Sequence, residues 1–308
     1  MTDLPAELPD GRPATRAGRR RQVATTVVLV VGLAALGVAA QRAWRDAQDV
    51  SLPGAGALSV AFVSTRAALF CSARAWAGLI GPPTDPRLVA GAFYQSQLIK
   101  YVPAGGVVQA AGQVGMTAMH GVPVRRVSLA YLSLAAATVA SGLTLGTGLV
   151  LVGSLATWVR ALALAGLLAP VLLHHRVLHG ALGLARRLSS RVPEATLLPD
   201  QRSLWVALAW CGANHVLYAG GFTVLLHAVD ASTPVAAAAV AYVVAWVIGF
   251  LVLPLPSGVG VREAVLVALV PSVMTGPLLA ASLAQRLVAI LAEVVAAGSN
   301  RLLRLRAR

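Results

Sequence analysis

Long apolar runs separated by short polar breaks dominate the chain. Residues 23–40 carry no charge, 57–80 carry only Arg66 and Arg74, and 127–173 carry only Arg160. Further apolar runs cover 204–229, 235–253, 264–276 and 277–298. A membrane helix needs roughly 20 consecutive apolar residues, so the pattern predicts an all-α, polytopic integral membrane protein. The 127–173 run is long enough for two spans with a turn near 148–154. The pattern as a whole predicts about eight transmembrane helices if 259–276 crosses, or six if that segment enters and turns back. The 23–40 run also has features of a signal peptide, with arginines before it and Ala39-Ala40 near its end. It is longer than a usual signal core and further spans follow, so a retained helix is expected.

Between the runs lie the polar segments. Residues 1–22 are rich in Pro and Arg and predict a disordered basic tail. Residues 23–300 predict a single transmembrane domain, and 301–308 a second basic tail. The 174–203 segment holds five arginines and three histidines and is expected to be a polar loop. Basic clusters beside apolar runs mark cytoplasmic loops. The amino terminus, 82–126, 174–203 and the carboxyl tail all carry such an excess, which places both ends on the cytoplasmic side. The expected location is therefore a bacterial cytoplasmic membrane, crossed several times.

Composition sharpens this picture. Charged residues make up 12% of the chain, half of the roughly 25% usual in soluble domains. The net charge of +14 is carried by short arginine clusters at the ends of apolar runs. That distribution fits anionic headgroups and argues against nucleic acid as a partner. Only Lys100 among the 25 basic residues is lysine, a usage expected of a GC-rich bacterial genome. Cys71 and Cys211 lie in apolar runs and need no partner. His174, His175 and His179 stand in a basic loop without cysteine or acidic neighbours, so no metal or other cofactor is expected. No phosphate-binding Gly-x-x-x-x-Gly-Lys run and no convincing catalytic set occur in the sequence, so an enzyme is not expected.

Two segments interrupt the apolar pattern. One runs from Phe93 through Ser96, Lys100, Tyr101, Pro103, Gly105 and Gly106 to Gln109. The other runs from Leu253 through Pro256, Gly258, Gly260 and Arg262 to Glu263. Each places Pro-x-Gly in a short turn before a weakly polar helix start. Broken backbone at membrane depth is tolerated only inside protein or beside a water-filled cavity. Paired broken segments in the two halves of a chain point to a binding site, with helix amino-terminal ends facing an anionic group. Two ordinary surface loops would show the same residues.

The first segment, continued through Gln113, Gly121-Val122-Pro123 and Arg125-Arg126, resembles the flippase-like transmembrane region of the lysylphosphatidylglycerol synthase family. So does Leu255-Pro256-Ser257-Gly258-Val259-Gly260-Val261-Arg262-Glu263. Ala104 stands where that family often has glycine directly after the proline, and no aminoacyl-transferase domain follows Arg308 in this sequence. The resemblance implies a membrane protein that binds, and translocates, an amphipathic lipid, either anionic or polyprenyl-linked. Membrane lipids are then the expected partners, with a separate lipid-modifying enzyme or glycosyltransferase as a further one. The alternatives are a secondary transporter of a small solute and a non-catalytic membrane subunit of a lipid- or glycan-modifying enzyme.

Nine of the eleven acidic residues lie in termini or connecting loops; Glu263 and Glu293 alone fall within or beside apolar runs. Buried acids in a membrane pair or face a cavity. Arg286 and Glu293 are seven residues apart, on one helix face, which predicts a polar network of Arg262, Glu263, Arg286 and Glu293 along a headgroup path. A structural ion pair between helices is the competing expectation. Lys100 either meets a lipid phosphate or reaches the membrane surface as a snorkelling lysine. Arg66 and Arg74 share a face of the second span and are candidates to attract phosphate, with Arg74 expected at the interface beside Trp76. Asn214 and His215 are expected to be a helix-packing polar pair.

Overall fold

The computed structural model describes residues 52–101, 105–151, 157–188, 194–252, 258, 260–270, 273 and 275–306. The candidate span 23–40, Pro103 and Pro256 lie outside the described residues. The architecture is all-α, with no strand among the described residues.

Helix α1 runs Ala55–Ile80, α2 Pro86–Gln97, α3 Gly105–Ala118 and α4 Val124–Gly146. Then come α5 Thr157–Ala165, α6 His175–Leu188, α7 Gln201–Val229, α8 Val235–Leu251, α9 Val261–Leu269 and α10 Thr275–Arg306. Tighter 3-10 turns cover Leu98–Tyr101, Thr147–Leu151 and Gly166–Leu173. Helix starts follow local chemistry: Asp85 accepts the Arg87 N–H (2.8 Å) ahead of Pro86, and Asp200 accepts the Ser203 N–H (2.6 Å).

Among the described residues, three helical stretches are long and apolar enough to cross a membrane: Ala55–Ile80, Val124–Val150 and Thr275–Arg301. Helix α7, at 29 residues, has the length as well, its apolar run broken at Asn214 and His215, both buried. The outside of the bundle is apolar, and polar side chains are buried within it among the apolar ones. On α10, Leu287 and Leu291 are 61% and 56% exposed, whereas Gln285 and Glu293 are buried at 1% and 0%. Water would reverse that arrangement; hydrocarbon favours it. The protein is an α-helical integral membrane protein.

Helices α1 and α7 form the axis of the bundle and pack closely because small residues line their seam. Ala61 and Ala68 are fully buried, and the Ser64 hydroxyl donates to the Leu217 carbonyl at 2.6 Å. One apolar cluster joins this axis to α8, α9 and α10; a second joins it to α2, α4 and the 166–173 turn.

The two interrupted segments form hairpins of short helices. Helices α2 and α3 have 12 and 14 residues, a rise of about 18 and 21 Å at 1.5 Å per residue. Helix α9 has nine residues, a rise of about 14 Å. None of them crosses a hydrocarbon core of roughly 30 Å by itself. Helix α9 alone is therefore too short to be the additional crossing that a count of eight requires of 259–276. The 174–203 segment differs from the expected loop, since nearly half of it, His175–Leu188, is the helix α6. The reason is a strict separation of its apolar and polar positions at helical spacing, which an average over the segment hides.

Candidate functional site

The tips of the two hairpins meet on one face of α10. Lys100, in the turn that ends the first hairpin arm, forms an ion pair with Glu293, and the Tyr101 hydroxyl donates to the other carboxylate oxygen at 2.9 Å. Two helical turns away on the same face, Arg286 binds Glu263 from the second hairpin. Its Nε donates to Oε1 at 3.0 Å and its Nη2 reaches both carboxylate oxygens, at 2.9 and 3.2 Å.

Both tips depend on glycine. A methyl group on Gly105 would overlap the Lys100 carbonyl, so only glycine lets α3 begin directly beneath Lys100. Gly258 has φ +64°, and a Cβ there would lie 2.7–2.9 Å from the Gly249 backbone. Gly260, at φ +84°, turns the chain into α9, and its N–H is accepted by Glu263 at 2.8 Å. With the Ser282 hydroxyl at 3.0 Å, the Glu263 carboxylate has partners on both oxygens.

Between the tips lies a cavity of about 160 Å³. Its polar lining includes Lys100, Tyr101, Gln109, Gln113, Arg262 and Arg286, joined by Gln285 from α10. Gly106 and Gly258 line it as well. Three cations face this space. Two have carboxylate partners, Glu293 and Glu263, standing behind them outside the lining. Arg262 differs: it has no carboxylate in ion-pair range among the described residues, and its buried Nε has no hydrogen-bond partner. Its guanidinium lies over the Trp246 ring, 5.1 Å from the centroid. Gln113 Nε2 and Gln285 Oε1 are also buried without partners, although Gln285 Nε2 donates to Thr65 at 3.0 Å.

Most of the candidate residues converge here, with some changes of role. The expected network divides into two separate pairs. Glu293 serves Lys100 rather than Arg286, and Arg262 joins neither. Lys100 does not snorkel to the surface, because Glu293 and the hairpin hold it inside. Ser96 supports the hairpin from within: its hydroxyl donates to Phe93 O at 2.7 Å and lies 3.3 Å from Gln113 Oε1. Arg66 donates to the Ala292 carbonyl at 3.4 Å, tying α1 to α10, and Arg74 is exposed. Asn214 accepts from Ser72 (3.0 Å), and His215 Nε2 lies 2.9 Å from Thr138 O, the helix packing expected of them.

Sequence reasoning missed the aromatic wall. Tyr242, Trp246 and Phe250 repeat every four residues along α8, and all three line the cavity with Tyr218 and Tyr131. Trp246 and Phe250 stack at 5.5 Å, and His215 stands edge-on to Trp246 at 5.1 Å. The four-residue spacing was the available signal, but a uniformly apolar helix gives it no contrast.

A helical bundle with an apolar exterior and a cation-lined cavity between two broken-helix tips defines a polytopic membrane protein with an internal polar site. A family model described as the lysylphosphatidylglycerol synthase TM region matches residues 111–297. The match covers more than half of the chain, and the chain belongs to that family. It begins after Lys100 and Tyr101, so the first tip adds to the family match through its contact with Glu293 rather than through the matched residues. No curated protein matches the chain.

Proposed function

We propose that this protein binds an amphipathic anionic lipid by its headgroup in the cavity between the two hairpin tips and moves it across the membrane. The observation that carries the reading is Arg262, a cation facing a polar cavity without a carboxylate partner among the described residues. An unmatched charge in such a site is costly alone and favourable with an anion. The cavity, at about 160 Å³, is close to the ~150 Å³ engineered cavity that accommodates benzene. That is room for a phosphate-sized headgroup and not for acyl chains, which would stay in the bilayer. A single unmatched charge favours a phosphodiester over a diphosphate-linked polyprenol. The arginine-rich segments, facing the cytoplasm of a bacterial cell membrane, would concentrate such lipids near the site. The chain would act without chemistry of its own, passing lipid to or from a separate modifying enzyme.

The test is reconstitution into liposomes with a fluorescent phosphodiester lipid in one leaflet. Wild type is expected to move the label to the other leaflet, and Arg262→Gln to lose most of that movement while folding normally. Lipid movement equal in the two proteins, or Arg262-dependent uptake of soluble phosphate with no lipid movement, would overturn the reading.

A further inference from the structure

Helix α6, remote from the cavity lining, has a division of faces without exception. At 100° per residue its leucines, valine and alanines all fall on one side, and its arginines, histidines and glycines on the other. None of its residues is buried; Leu184 is 62% exposed and Leu188 85%. Its contacts with the bundle include Leu178, which packs at the edge of the second apolar cluster. At 14 residues it is too short to span.

Its depth follows from one side chain. Gln201 Oε1 accepts the His175 N–H at 2.6 Å, and Gln201 Nε2 donates to the Leu173 carbonyl at 3.3 Å. Gln201 is the first residue of α7, between Asp200 and Arg202, at the polar end of a long membrane helix. The corner at 173–175 is thus fixed at the membrane–water boundary. There the chain bends by 80° from the apolar 159–173 stretch into α6. An apolar stretch standing in the membrane and a bend near a right angle bring the α6 axis close to the membrane plane.

Charge selects the membrane over a protein partner. The polar face carries Arg176, Arg186 and Arg187 and no acid, and the helix itself contains none. Glu194 reaches Arg186 only at 3.9 Å with both side chains solvent-accessible, a weak neutralisation. We infer that α6 is an interfacial anchor, its leucine face in the acyl–headgroup boundary of an anionic leaflet and its arginines bound to phosphate headgroups. This surface is separate from the cavity and does not depend on the lipid-translocating reading.

The test uses full-length protein in phosphatidylcholine vesicles with and without phosphatidylserine. An environment-sensitive fluorophore is attached at Leu184→Cys, on the apolar face, or at Gly183→Cys, on the polar face. The unsubstituted protein, whose Cys71 and Cys211 are buried, is the labelling control. Quenching by a shallow spin-labelled lipid is expected to be at least about twofold stronger at position 184 than at 183. It should strengthen with phosphatidylserine, and the combined Arg176→Gln, Arg186→Gln and Arg187→Gln changes should remove that dependence. Equal quenching at both positions, or a water-like spectrum at 184, would overturn the in-plane placement. A phosphatidylserine response unchanged by the arginine substitutions would overturn the anionic-lipid assignment.

Discussion

Lys100 and Glu293, 193 residues apart in the chain, form an ion pair in which the carboxylate is wholly buried. The pair ties the tip of the first hairpin to the helix that also holds the second. Glu293 adds a hydrogen bond from Tyr101, so three side chains fix one position of the tip. Lysine is a compact point charge on a flexible stem, and it reaches an acid that a planar guanidinium would have to approach differently.

Removing one partner of such a pair leaves a buried charge unmatched, which costs about 3–5 kcal/mol. Glu293→Gln and Lys100→Met are each expected to lower thermal stability in detergent strongly. The double substitution should cost less than the sum of the two, with a coupling of about 1–3 kcal/mol. Additive losses would show that the pair makes no energetic contact.

The second tip rests on a fork. Arg286→Lys keeps the charge but loses the parallel approach to both Glu263 oxygens. A loss of roughly 2 kcal/mol is expected, measured as a fall in unfolding temperature. Glu263 keeps Ser282 and the Gly260 N–H in this variant, so the protein should still fold.

Two glycines in one helix should respond in opposite ways. Gly105→Ala drives a methyl into the Lys100 carbonyl and is expected to destabilise by about 1–3 kcal/mol. Gly115 has open space around its would-be Cβ, and Gly115→Ala should be neutral or stabilising by about 0.5–1 kcal/mol. Unfolding curves of the two variants against wild type decide the matter.

The Arg262 position can be disturbed without touching Arg262. A Cβ on Gly249 would lie 2.6 Å from Arg262 Cγ and 3.0 Å from its Nε. Gly249→Ala is therefore expected to push the guanidinium off Trp246 while improving the propensity of α8. Retention of an anionic lipid, followed through Trp246 fluorescence in a background where the other tryptophans are phenylalanine, should fall several-fold, as in Arg262→Gln. Retained binding would mean that the guanidinium finds its place from another rotamer.

Membrane character, helix boundaries and the two interruptions were legible from local pattern alone. The 57–80 run became Ala55–Ile80, and 204–229 became Gln201–Val229 with Asp200 as its cap, because apolar length is written in adjacent residues. Glu263 and Glu293 were recognisable because an acid in an apolar run must find a partner. Helix α6 was hidden in a segment that is polar on average, although its faces separate cleanly at helical spacing.

Local pattern therefore supplies the material: apolar spans, two breaks rich in glycine and a small set of charges inside the membrane. Tertiary packing chose the partners. It gave Glu293 to Lys100 and Glu263 to Arg286, and it left Arg262 over Trp246 facing the cavity. The reason is geometric. Residues seven apart on α10 share a face, but which distant cation meets each one depends on how far each hairpin reaches. That reach is set by backbone contacts at Gly105, Gly249 and Gly258, which no local pattern of polarity records.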